Sequence, residues 1–232
     1  MVFDSVERVP SDLVLKEFLA NYPCKKEDFN AGTYSMFPGY LDYTFEQSRS
    51  RMNLQTLDCV FLTTPFEAQA MKSPSLQWYY DCLASAFEFY ESQIQAGTLI
   101  SYGITANQSL VLNPRIARFL NKEKGLTPDR LYQSLFETLK VAEKVGGKDT
   151  HGFRYIHAPY NKKQLEAEQM VMHENHEGVL MNLIDFCKYY GINFLSTNVN
   201  QSKLRIHRAE PKTQKELLHG GMFETINSTV LI

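Results

Sequence analysis

Two short apolar runs, Leu57-Asp-Cys-Val-Phe-Leu62 and Leu99-Ile-Ser-Tyr-Gly-Ile104, each give way to small polar residues, Thr63-Thr64 after the first and Thr105 after the second. Runs of this kind suit buried parallel strands whose C-terminal ends open into loops. Between them, Tyr80, Leu83, Phe87, Tyr90 and Ile94 recur at helical spacing over about 76–96, and Gly97 supplies the stop. Strand, helix, strand is the repeating unit of an α/β fold. The pattern recurs on either side. Pro38 opens a helix with Leu41, Phe45, Ser48 and Met52 on one face, and Thr127-Pro128 opens another with Leu131, Leu135, Leu139 and Ala142 inward until Gly146-Gly147. Phe153-Arg-Tyr-Ile-His-Ala158 reads as a third strand, 178–190 as a helix burying Leu180, Leu183, Ile184 and Cys187, and 192–197 as a fourth strand. Residues 1–37 carry one short helix that stops at Tyr22-Pro23 and are otherwise irregular. Residues 160–177 form a long polar excursion, of a length that is usually functional or partner-bound. The tail holds a basic stretch over 203–215 and closes on Thr229-Val-Leu-Ile232, which reads as a last short strand.

With 232 residues, 44% of them hydrophobic, the chain can bury a substantial core, and we read 1–232 as a single domain. A net charge of −2 gives no overall field toward nucleic acid or an acidic membrane, so any contact with nucleic acid is expected only through 203–215. No run approaches the roughly 18 apolar residues of a membrane span, and the first residues carry acids but no secretory core, so membrane insertion is not expected. Cys24, Cys59, Cys82 and Cys187 show no CxxC spacing. A reducing compartment, cytosol or mitochondrial matrix, is expected. His173 and His176 stand one helical turn apart but lack a third ligand, so they read as solvated surface rather than a metal site.

Taken in order, several segments resemble the aldo-keto reductases. Leu57 through Pro65 is similar to the strand that in that family ends Leu-His-x-Pro, and Gly97 through Thr105 to its Gly-Lys-Ile-x-x-Gly-Val-Ser segment. Val141 through Lys148 before a strand ending His157-Ala-Pro-Tyr-Asn161, the segment from Tyr40 to Asp58, and the strand at 192–197 fit a divergent branch. The resemblance covers about 9–200. It implies an α/β fold, a partial or degenerate (β/α)8 barrel, and a family activity in which NADP(H) reduces carbonyls while a Tyr, flanked by Lys, Asp and His, donates the proton.

The departures decide the functional expectation. On this alignment the half-barrel with the Tyr, Lys and Asp would precede Met1, and the His position falls on Thr63, whose hydroxyl cannot do the work of an imidazole. The nicotinamide-holding positions fall on Thr105, Ala106, His157 and Ser196, a vestigial set, and only part of the expected phosphate-gripping segment follows residue 205. No catalytic group and no metal is therefore expected, NADP(H) should bind weakly if at all, and the chain reads as a non-catalytic structural or accessory subunit of a larger assembly. The alternative is an NAD(P)H-dependent carbonyl reductase completed by another chain. A partner is expected on the open side of the barrel near 57–62, with the aromatic helix 76–96 and the excursion 160–177 as further contacts.

Overall fold

A computed structural model describes residues 2–4, 20–21, 35–66, 75–107, 109–111, 122, 132–161 and 164–197. The basic stretch at 203–215, the closing run at 229–232, the Thr127-Pro128 helix start and the short helix before Tyr22 lie outside these, apart from Ala20 and Asn21. The described chain runs β1 (Val2–Asp4), α1 (Pro38–Met52), β2 (Leu57–Leu62), α2 (Leu76–Gln95), β3 (Leu99–Thr105), α3 (Leu135–Gly146), β4 (Phe153–Pro159), α4 (Glu166–Gln169), β5 (His173–Glu174), β6 (Leu180–Met181), α5 (Leu183–Tyr189) and β7 (Asn193–Thr197). Five strands form one parallel sheet in the order β1-β2-β3-β4-β7, and β5 and β6 form a separate antiparallel pair. The expected strands at 57–62, 99–104, 153–158 and 192–197 are all present. The sheet does not close on itself among the described residues.

Alternation along the strands sorts side chains onto two faces. Val60, Leu62, Tyr102, Ile104, Phe153, Ile156, Ala158 and Phe194 join the main core with the helices, while Cys59, Phe61 and Leu195, with half-buried Tyr155, form a small cluster on the other face. The helices therefore cover one side. In α2, Tyr79, Leu83, Ala86, Phe87 and Tyr90 are buried, and Phe87 and Tyr90 meet Tyr102 with ring centroids 4.9 and 5.3 Å apart. The aromatic stripe is thus core packing, and of that helix's large aromatics only Trp78 is exposed, which removes the stripe itself as a contact surface. Ser75 caps the start of α2 by accepting from the Trp78 N–H at 3.0 Å.

Three boundaries differ from the sequence expectation. Helix α3 begins at Leu135, because Ser134 accepts from the Glu137 N–H at 3.2 Å and fixes the start there. Helix α5 begins at Leu183 rather than 178: Gly178 takes φ +78° in a turn, Leu180 and Met181 pair back onto β5, and Asn182 caps the helix by accepting from the Asp185 N–H at 2.8 Å. Leu180 is consequently exposed rather than buried. The N-terminal segment, read as largely irregular, contributes β1, whose Val2, Phe3 and Asp4 register with Val60, Phe61 and Leu62. The edge of β2, expected to be open, is thus paired by the chain itself, and among the described residues the outer strands of the sheet are β1 and β7.

One buried carboxylate ties helix to sheet. Glu91 of α2 accepts from the Tyr102 hydroxyl at 2.9 Å and from the Gly152 N–H at 2.7 Å, linking α2, β3 and the entry to β4. Gly146 lets the end of α3 close over it, since a Cβ there would stand 2.4 Å from Glu91 Oε1. Substituting Glu91→Ala strands two buried donors, so we expect a loss of about 2–4 kcal/mol, read as a fall in the denaturant midpoint. An unchanged midpoint would show that the clasp carries no stability.

Candidate functional site

In parallel α/β folds the chemistry sits where strands end, and the C-terminal ends of β2, β3, β4 and β7 bring Thr63, Thr105, His157 and Ser196 to that rim. The expected set does not converge on one face. Thr105 and His157 are register partners on the face away from the helices, beside Phe61 and Leu195. Ala106 belongs to the helix-side core, and Ser196, paired in register with Ala158 of that core, donates from its hydroxyl to the Tyr160 carbonyl. Two of the four positions therefore look away from the face where a nicotinamide would be held. Thr63 lies half-buried just past the end of β2.

The backbone at this rim is constrained. Thr64 holds φ +42°, a region that β-branched residues rarely enter, and its N–H is shared between the Thr105 carbonyl at 3.0 Å and the Thr105 Oγ1 at 2.9 Å. Past β4, Asn161 and Gln164 pair through reciprocal backbone bonds of 3.0 and 2.9 Å. Tyr160 then donates from its hydroxyl to Glu168 at 2.9 Å, so the start of the excursion is tied down.

Beneath the rim the face is filled by aromatic side chains that the sequence reading passed over. Gly103 is the register partner of both Phe61 and Tyr155, and with no side chain of its own it lets Phe61 reach across β3. The Phe61 ring lies 6.1 Å from Tyr155 and 5.8 Å from His157, centroid to centroid. A Cβ on Gly103 would stand 2.3 Å from the Tyr155 carbonyl oxygen, beside a register irregularity between Tyr102 and Gly103. A glycine inside an otherwise apolar strand run is the available sequence signal for such a close approach. Phe61 is 0% and His157 7% exposed. The face expected to lie open for a partner is, at these side chains, already out of water in a single copy of the chain.

That burial sets the proton chemistry. Desolvation holds His157 neutral, with its pKa lowered to about 4. Burial pushes the Cys59 thiol up to about 12 and raises the Tyr155 phenol, helped by the nearby Cys59 and Asp58. The histidine pair singled out in the sequence separates. His176 is exposed at a turn, whereas His173 is buried in β5, where burial also lowers its pKa to about 4. The described residues contain no cluster of three or more side chains able to hold a metal, and no helix among them is long and apolar enough to cross a membrane.

In an unfolded chain these imidazoles take up protons near pH 6.5, whereas His157 and His173 in the fold stay neutral to about pH 4. The stability each lends is fully present above pH 6.5 and falls by about 1.4 kcal/mol per pH unit as the solution is acidified toward 4. We expect the denaturant midpoint to drop between pH 7 and pH 5, and the drop to shrink in His157→Gln. A midpoint level across that range would mean that these imidazoles are not held neutral by burial.

No protein-family model matches the chain. No curated protein matches it either. Among solved structures it is similar to a thermostable aldo-keto reductase in complex with the inhibitor epalrestat, at 13% identity and a TM-score of 0.41, over 79% of this chain and 46% of that one. It is also similar to an aldo-keto reductase from Bacillus halodurans in its holo form, at 12% identity and a TM-score of 0.34, over 70% of this chain and 37% of the other. The chain spans less than half the length of either. The parallel α/β architecture itself, strands alternating with helices in a sheet left open among the described residues, rests on the strand pairing described above.

Proposed function

We propose that this chain is a non-catalytic protein of aldo-keto-reductase-like design that serves as a structural or accessory subunit of a larger protein assembly. The observation that carries the reading is the state of the titratable groups on the sheet face away from the helices. A carbonyl reductase needs an acid whose pKa lies near the working pH. On the face in question His157 stays neutral down to about pH 4, the Cys59 thiol is pushed up to about 12, and the Tyr155 phenol is raised. Thr63, where the resemblance places the family's histidine, offers a hydroxyl that cannot donate a proton at neutral pH. Phe61 and Leu195 fill the same face, and Ala106 and Ser196 look away from it. NADP(H) is therefore expected to bind weakly at most.

The partner contact we propose lies at the edge of the sheet rather than on its buried face. Among the described residues β7 is an outer strand of the sheet, and an outer strand presents backbone groups to whatever lies beside it. The excursion adds exposed apolar side chains at Val171, Val179 and Leu180.

We expect no NADPH-dependent reduction of model aldehydes by the purified chain, and no gain of turnover in Thr63→His. We also expect the native protein to travel on a sizing column in a particle larger than one copy. Steady-state turnover abolished by changing Thr63 or His157 would overturn the reading, as would a native particle of a single copy.

A further inference from the structure

The β5–β6 hairpin meets the rest of the molecule through the buried His173, through Met181 against the main core, and at its exposed turn through His176, whose N–H and ring reach Tyr190. Most of its residues, Glu174 and the stretch from His176 to Leu180 among them, are exposed, while His173 and Asn175 are buried. Asn175 serves the hairpin's own turn, its Oδ1 accepting from the N–H groups of Glu177 and Val179 at 2.9 Å each. His173 instead reaches outward between the rings of Tyr132 and Phe186, with centroids 5.5 and 5.7 Å away. Its Nε2 lies 2.9 Å from the Leu110 carbonyl and its Nδ1 2.9 Å from the Tyr132 hydroxyl, which also lies 2.7 Å from the Met172 carbonyl. The side chain thus joins the hairpin to the loop after β3, to the approach to α3 and to α5.

The partners define the proton inventory. A carbonyl only accepts, so Nε2 carries the proton of the neutral ring, and the single Tyr132 hydroxyl proton is shared between the Met172 carbonyl and the bare Nδ1. A second proton on the ring would put a charge in a site where neither ring nitrogen is bonded by a carboxylate. Tyr132 faces it, with Tyr80 of α2 behind, and burial raises both phenols, so neither supplies a counter-charge. On the packed helices, Glu137 and Lys140 of α3 are paired at 2.8 Å and Asp185 and Lys188 of α5 at 3.7 Å, all four exposed. Tyr190, just past α5, is raised by burial and accepts from the His176 N–H at 2.9 Å. On the hairpin itself Glu174, His176 and Glu177 are exposed to water. The charged state of His173 is therefore reached by bringing the ring to water.

We propose that His173 is an acid-released latch: while its imidazole is neutral it holds the β5–β6 hairpin against the body of the protein, and acidification through the ordinary histidine range frees the hairpin ahead of global unfolding. This goes beyond the accessory-subunit reading and does not depend on it.

Hydrogen exchange of the full chain, compared at pH 7.5 and 5.5 after correction for intrinsic exchange, tests the latch. Between these values the opening equilibrium of a group that protonates near 6.5 when released and near 4 when docked rises about tenfold. We expect protection to fall by about that factor over 170–182, from a base below that of β2, β3 and β4, whose own fall follows the global loss of stability set by His157 and His173 together. In His173→Phe, which keeps an aromatic ring but no titrating group, and in His173→Gln, the pH dependence should vanish. Equal protection of the wild-type hairpin at both pH values, or a hairpin as strongly protected as the strands at both, would overturn the latch. So would a pH dependence that persists in either variant, since it would belong to another group such as His176.

Discussion

The contact on which the face away from the helices depends is Phe61 lying across Gly103 toward Tyr155 and His157. A side chain at 103 would collide with the Tyr155 backbone. Its absence lets one ring span the central strand and bury the imidazole beside it. The lowered His157 pKa follows from that burial, since desolvation is its cause. The same packing turns a face that the sequence resemblance assigns to a cofactor into a small secondary core.

The opposite face has the construction expected of an α/β protein, with helices laid on parallel strands. Its particular device is Glu91, a carboxylate placed among aromatic rings and supplied with a phenol and a backbone N–H as donors. A buried charge tolerates such a site only when its lone pairs are engaged. The two faces thus differ in kind: one is a large helix-covered core with a polar clasp, the other a compact aromatic cluster capped by a strained threonine at the rim.

The four longer strands were legible because apolar runs of five to seven residues leave few alternatives, and α2 was legible because its buried positions recur every three or four residues. Strand β1 was not, since three residues carry no period and its pairing with β2 is a tertiary fact. The starts of α3 and α5 were misplaced for a common reason. Thr127-Pro128 and the apolar Leu180 draw the helices too early, yet the caps at Ser134 and Asn182 set the first turns of the observed helices. At the site, the resemblance groups Thr105, Ala106, His157 and Ser196 by alignment alone, and strand register makes Thr105 and His157 neighbours. An alignment carries no face, and one residue's shift along a strand reverses the side chain, which is why Ala106 and Ser196 do not join them. Cys59, Phe61 and Tyr155 were read only as strand filler, because the role of Phe61 appears only once Gly103 is seen between it and Tyr155.

If the interior cluster has replaced a cofactor site, His157 should behave as a buried side chain and not as a ligand contact. The direct measurement is the nuclear magnetic resonance signal of the His157 ring during titration with NADP(H) and with acid. The account predicts a neutral ring through pH 5 whose signal does not move when the nucleotide is added. A ring that titrates near pH 6.5, or a signal that shifts with saturable nucleotide binding, would contradict it.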